Sequence, residues 1–443
     1  MPVNEIASKS SPIEGRVLEN DGNEKETRRS IFGLLWLGQT VSIIGSQFSS
    51  LSIQMIAVSA LHANPTQMGL LTASQTFPYL IMSLFIGVMV DRFRRKSLLI
   101  MADTVRAAIL IAASALLLTD RMAIWTLYGI VCVISLFTLI FDASLGAAIP
   151  ELFRPNERIA VNSRLNMTLA GGDVVGPSMS GYALRLAGIS GAMLFDSFTY
   201  LASAVCIFFG IRRTVNSSSS PRATTHRNGI FRTIFVGVSF VLSNATLRIL
   251  GIGSAIWNFS WSAVLAVLVL HAVHDLKLTS VQIGLAFATG GVGGIGGSIL
   301  GWRLARSFSQ GTILVFTPLI GIAGGAILLL PVHSNPFVLT AMALFLYNLG
   351  ESSFGVNMQT TRQAVTPMHL MGRMDTAMRF CFKGMASLGA VAGGLTASQF
   401  GLKAALELGV AGLAATFVVF LCSNLIRFDE PLNRIAPATR EES

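Results

Sequence analysis

The chain has 443 residues, of which 52% are hydrophobic and 12% charged, with a net charge of +10. A soluble domain carries about 25% charged residues, so this composition excludes a water-exposed globular surface, and a mean hydropathy of +0.64 agrees. Most of the basic residues fall in short gaps between apolar runs, a pattern of membrane topology and not of a nucleic-acid partner.

Residues 1–30 are polar and charged, with no short apolar core and cleavage site, and read as a disordered cytoplasmic tail without a secretory signal. Crossing a bilayer core takes about 20 apolar residues. Windows of that kind predict six spans in a first half, 31–212: 31–61, 67–90, 97–119, 122–149, 163–186 and 191–211. A Ser/Arg/Thr-rich linker follows at 213–229. The second half, 230–427, opens with an amphipathic surface helix to residue 244, with Arg232 on one side, and continues with spans at 245–273, 280–304, 311–332, 337–361, 375–400 and 404–426. Residues 428–443 form a second polar tail. Runs such as Val131 to Ile140 are apolar on every side, which favours helices over the alternating strands of a barrel. The expected fold class is an all-α membrane protein of twelve transmembrane helices.

With these spans, 24 Lys and Arg lie on the side of the N-terminal tail, and four (Arg121, Arg185, Lys277 and Lys403) on the other. Positive charge accumulates in the cytoplasm, so both termini are expected there. Two termini on one side require an even number of spans.

The two halves repeat. Gln67-Met68-Gly69-Leu70 returns as Gln282-Ile283-Gly284-Leu285 at an offset of 215, and Gly181 and Gly188 return as Gly394 and Gly401 at 213. Pro150 and Pro367, each ahead of an arginine, are 217 apart, and Gly87 and Gly301 are 214 apart. Six-helix halves in one orientation are parallel repeats, and transporters built so bind substrate between the halves near the midplane.

Gly87-Val88-Met89-Val90-Asp91-Arg92-Phe93-Arg94-Arg95-Lys96, between spans 2 and 3, resembles the major facilitator superfamily signature G-x-x-x-D-R-x-G-R-R/K, with Arg94 where a second Gly is usual. Pro150-Glu151-Leu152, Gly176-Pro177 and the stretch from Arg362-Gln363 through Pro367 to Gly372-Arg373 resemble the drug-efflux and siderophore-exporter branch of macrolide-efflux and enterobactin-exporter proteins. The resemblance spans roughly residues 30–425. It implies the major facilitator fold, a bacterial cytoplasmic (inner) membrane location and a gating loop of Gly87, Asp91, Arg92, Arg95 and Lys96. In that loop Asp91 would approach the N-terminus of span 11 near Asp375, where a helix end favours an acid. The plainer alternative is that the cations only anchor topology.

Ionisable groups inside a span are costly and mark function. Asp142 (span 4), Glu351 (span 10) and Asp173 (span 5) are candidates for proton coupling or substrate binding. Their structural alternatives are ion pairs: Asp142 with Arg92 or Arg95, and Glu351 and Asp173 each with Arg379 or Lys383. For Asp173 the pairing is preferred. Asp103 and Arg106 are three apart on span 3 and share a face, as a local ion pair would. Asp196 reads as hydrogen-bonded packing. By the resemblance, spans 1, 4, 7 and 10 line the cavity. Trp36, Gln39, Gln47, Trp257 and Asn258 are cavity candidates there, each as readily lipid-facing or packed. Gly291-Val292-Gly293-Gly294-Ile295-Gly296 fits G-x-G-x-x-G, but it lies inside an apolar span. Gly293, Gly297 and Gly301 instead form a close-packing helix face.

Cys132, Cys206, Cys381 and Cys422 have no metal-ligand spacing, and His271 and His274 alone do not make a metal site. No Walker A sequence and no catalytic constellation occur, so neither a cofactor, a metal nor an enzymatic activity is expected. The reading is a monomeric secondary transporter. Its partners are a small-molecule substrate, protons and the lipid bilayer. By resemblance its task is proton-coupled efflux of an amphipathic drug, macrolide or siderophore. The alternatives are uptake or uniport of a small metabolite, and a non-transporting membrane sensor.

Overall fold

The computed structural model describes residues 12–210, 230–331, 335–367, 370–423 and 425. The expected linker 213–229 and C-terminal tail 428–443 lie outside them, as do residues 1–11. Thirteen α-helices follow one another, with no strand among the described residues. α1 (Pro12–Met55) begins well ahead of residue 31 and ends in a π turn, Ile56–Ala60. Next come α2 (Pro65–Arg92), α3 (Arg95–Leu118), α4 (Ile124–Leu152) and α5 (Pro155–Gly210). The second half holds α6 (Ile230–Ser243), α7 (Ala245–His274), α8 (Ser280–Ser307), α9 (Gln310–Phe316), α10 (Pro318–Ile327), α11 (Pro336–Val365), α12 (Met371–Phe400) and α13 (Leu402–Leu421).

Ten segments are long and apolar enough to cross a membrane by length and composition. One of them, within α5, is of double length and bends at Gly188, where φ is 68°. Only glycine takes that conformation without strain. The contacts with α1 show that the chain turns back there. The first arm of α5 advances with α1, Gly172 against Ile43 and then Gly176 against Gln47. The second arm runs the other way, Cys206 against Gly38 and Thr199 against Gly45. Spans 5 and 6 are therefore these two arms, and with α2 the crossings number twelve.

The expected span 311–332 is one membrane-length segment, Gln310–Ile327, interrupted at Thr317 and Pro318, where α9 gives way to α10. Proline lacks the N–H that would continue the ladder and crowds the preceding turn. The Thr317 hydroxyl donates to the Ile313 carbonyl at 2.7 Å, closing the end of α9.

The repeated Gln-x-Gly motif has a local cause. Asn64 caps α2 and Thr279 caps α8, each accepting from the backbone N–H three residues on. Gln67 and Gln282 return the bond to their caps at 2.9 Å each. Both are capping boxes, which satisfy two otherwise orphaned N–H groups. The expected packing face of α8 is present. A Cβ at Gly293, Gly297 or Gly301 would strike the carbonyl of Phe345, Leu349 or Ser353 on α11, so the backbones touch at every fourth residue of both helices.

Candidate functional site

The halves meet along two seams, α2 with α12 and α5 with α8. In each, a pair of glycines lets the backbones meet. A Cβ on Gly69 would lie 2.9 Å from the Cα of Gly394, and one on Gly284 3.1 Å from the Cα of Gly181. Gly284 is the repeat of Gly69, and Gly394 the repeat of Gly181, so the seams are one contact used twice. All four glycines lie toward the membrane side opposite the α2–α3 loop, and on that side the halves are closed. Further toward the loop, Thr76 and Ser387 share a hydrogen bond of 2.6 Å across the α2–α12 seam.

Beyond that bond the side chains become charged. Lys383 of α12 sits 5.2 Å from the centre of the Tyr79 ring on α2. Asp142 of α4 interacts electrostatically with Arg106 on α3 and with Arg379 and Lys383 on α12. Asp142, Arg379 and Lys383 are exposed although they stand within membrane-length helices. A charge facing lipid at mid-span costs about 3 kcal/mol on insertion scales. Because Asp142 on one half interacts with Arg379 and Lys383 on the other, these side chains face the space between the halves and not lipid. Two expectations are corrected here. Asp142 does not pair with Arg92 or Arg95, because Arg95 reaches Glu151 at 3.3 Å near the end of α4. Glu351 does not hold Arg379 or Lys383, which Asp142 draws instead; Glu351 is exposed on α11 and its charge acts on Tyr347.

Asp173 is likewise not paired with α12. Its Oδ1 accepts from Gln47 Nε2 at 3.1 Å, within the first half. Gly176 leaves the space that the Gln47 side chain fills. Trp36 is exposed and donates from Nε1 to the Thr168 hydroxyl at 2.8 Å. Gln39 is half-buried. Trp257 is corrected: it is buried, stacked on Tyr347 at 5.6 Å between ring centres, and belongs to the core of the second half. Asn258 donates to the Ser254 carbonyl at 2.8 Å, a bond within its own helix.

In the α2–α3 loop Arg92 is exposed, and Lys96 donates to the Phe208 carbonyl at 2.7 Å while lying over the Phe208 ring. Gly87 lies within α2, and the side chain of Asp91 lies outside the described residues. α12 begins at Met371. In its first turns Asp375 forms an ion pair with Arg362 from the last turn of α11.

Behind Asp142 lies a group of residues that the sequence shows only in part. Asp103 and Arg106 are an ion pair, as their spacing implies. Both are buried, at 0% and 4% exposure. The guanidinium is held between the rings of Phe141 and Tyr200, at 4.8 and 4.2 Å from their centres. Asp196, 0% exposed, stands beside them on the second arm of α5. Its Oδ1 accepts from Thr199 at 3.1 Å. Nothing in the spacing of Asp196 from span 3 signals this, since only the fold brings α3 and the second arm together.

Comparison with known proteins places the architecture. The chain is 25% identical over 401 residues to an uncharacterized MFS-type transporter, YfiS, of Bacillus subtilis (strain 168), covering 86% of this chain and 91% of that protein. It is 23% identical over 414 residues to the enterobactin exporter EntS of Citrobacter koseri, covering 90% and 94%. A bacterial homologue of the iron transporter ferroportin in its inward-facing state superposes with a TM-score of 0.69 at 16% identity, over 88% of this chain and 98% of that one. The outward-facing state of a bacterial ferroportin homologue gives 0.58 over the same shares. A bacterial homologue of the lysosomal transporter Spinster, inward-facing and occupied, gives 0.71 at 12% identity, over 93% and 99%. The family model of the Major Facilitator Superfamily matches residues 35–390, and the chain belongs to that superfamily of multi-pass membrane transporters.

Proposed function

We propose that this chain expels an amphipathic organic compound across a bacterial inner membrane by alternating access, with proton antiport as the driving force. The observation that carries the reading is Asp142. It is an acid within a membrane-length helix, exposed to the opening between the halves, with counter-ions on both sides of that opening. Such a group can be neutralised by a proton when Arg379 and Lys383 move away, and discharged when they return. That exchange links protonation to the relative position of the halves. Glu351 serves as a second acid on the opposite wall, and Asp173 with Gln47 holds α1 to α5. Trp36, Gln39 and Asn258 offer aromatic and amide surface to an amphipathic substrate.

The basic loops favour a cytoplasmic position for both termini, and the closed glycine seams would then face outward. The reading is that of an inward-facing state, ready to load from the cell. The Gly87–Lys96 loop would close the cytoplasmic side in the alternate state, Asp91 meeting the N-terminus of α12. A relative named as an enterobactin exporter supports efflux as the direction.

The test is accumulation of fluorescent amphipathic and siderophore-like compounds in inverted vesicles, with and without a proton gradient. Gradient-dependent accumulation that Asp142→Asn or Glu351→Gln abolishes is the expected result. Accumulation indifferent to the gradient would mean facilitated transport and would remove the coupling role from both acids.

A further inference from the structure

Asp103, Arg106 and Asp196 do not balance. Each is at most 4% exposed, and together they carry two carboxylates and one guanidinium. A buried charge without a partner is neutralised or bound by a counter-ion. Arg106 supplies one positive charge and is engaged three ways: to Asp103, to the Thr138 hydroxyl at 3.5 Å and to the Ala102 carbonyl at 3.4 Å. It is also drawn by Asp142 from the side of the opening. Oδ2 of Asp103 and Oδ2 of Asp196 are both buried without a hydrogen-bond partner. The Ser49 hydroxyl faces Asp196, and the Ser203 hydroxyl faces Asp103, yet neither closes a well-formed bond. Two carboxylate oxygens and two hydroxyls are thus buried without a closed bond in a cluster that holds one guanidinium.

From this geometry we infer that Asp103 and Asp196 share one exchangeable monovalent cation, a proton or a sodium ion, held beside Arg106. The charged and titratable groups around it are Arg106 and Asp103 from α3, Tyr200 from the same arm of α5, and Asp142 from α4 behind Arg106. Among the described residues, α1 brings the Ser49 hydroxyl and the bare backbone of Gly45. The site deepens the reading of the chain as an ion-coupled transporter and rests on it. It also supplies a path between ion and opening. When the halves separate Asp142 from Arg379 and Lys383, Asp142 pulls harder on Arg106. The two buried acids then lose part of their counter-charge and bind the cation more tightly. When Asp142 regains its partners, Arg106 returns and the cation is released.

The test reads the charge of the cluster and requires no substrate. The full chain in lipid nanodiscs is titrated by infrared difference spectroscopy from acid to alkaline pH in potassium chloride. In parallel its thermal denaturation is followed in sodium against potassium chloride. A proton in the site gives a protonated-carboxyl band that Asp196→Asn removes and that Glu407→Gln, at an exposed surface carboxylate, leaves. Sodium in the site gives no such band but a melting temperature that rises with sodium, a rise lost in Asp196→Asn. Asp103→Asn leaves one acid for one guanidinium, so it too abolishes the band or the sodium effect. If one variant does not fold, the other decides. A band and sodium response both absent from the wild type, or present and untouched by the folded variants, overturns the proposal. Because transport is not measured, such a failure leaves the efflux reading to its own assay.

Discussion

The two halves share a frame and differ in what fills it. Gly69 meets Gly394, and Gly284 meets Gly181, at the same level and in the same way. Their helices begin with the same capping box. Yet at an offset of 214 the buried Asp103, Arg106 and Asp196 of the first half correspond to Thr317, Ile320 and Val410. The interior of the second half is instead aromatic, with Trp257, Tyr347, Phe354 and Phe420 in mutual contact. Duplication kept the surfaces on which the halves move against each other, because both seams must open together. The charge chemistry needs only one copy. A second buried set would add desolvation cost without adding a second conformational change to couple to.

That contrast can be broken most forcefully at Arg106. Arg106→Leu removes the only guanidinium from a cluster that keeps two buried acids, and a loss of about 3–5 kcal/mol of stability is expected from uncompensated buried charge. Thermal denaturation of the purified protein measures it, and lowering the pH should restore part of the loss by protonating the acids. In the second half the corresponding aromatic core should be more forgiving. Trp257→Phe keeps one ring of the stack on Tyr347 and leaves a small cavity where the second ring was, so a cost of about 1–2 kcal/mol is expected, below that at Arg106.

The shared frame predicts equal effects from unequal positions. Gly394→Leu and Gly181→Leu each drive a side chain into the backbone across a seam, Pro65 and Gly69 in one case and Ser280 and Val281 in the other. Both should reduce transport, and by similar factors. A large difference between them would mean that the two seams do not move as one. The smallest effect belongs to Gln47→Ala, which removes a single exposed hydrogen bond to Asp173 at 3.1 Å. About 1 kcal/mol is expected for such a bond, with gradient coupling intact. Loss of coupling would promote Asp173 to the proton pathway.

Much of this frame is legible in the sequence. Apolar windows locate the spans, and the repeated Gln-x-Gly and Gly positions are the seams themselves. Pro318 was visible too, but a proline inside an apolar window does not announce whether it bends a helix or breaks it. The site is less legible, for a physical reason. A helix apolar on all sides has no periodicity to say which face turns inward. Trp257 and Glu351 lie on α7 and α11, and sequence cannot say that one is buried and the other open. Pairing at a distance of three, as for Asp103 and Arg106, can be read. Pairing through the fold, as for Asp196 with that pair or Asp142 with α12, cannot.

In the proposed cycle the halves rock about the glycine seams, so that opening one side closes the other. Spin labels report it directly, one pair at Arg121 and Lys403 on the closed side and another at Arg92 and Arg303 on the loop side, all exposed positions. Gly394→Leu should wedge the closed side apart. The distance from residue 121 to 403 should then lengthen while that from 92 to 303 shortens. Lengthening of the first with no change in the second would contradict it, because the halves would then be separating locally and not alternating access.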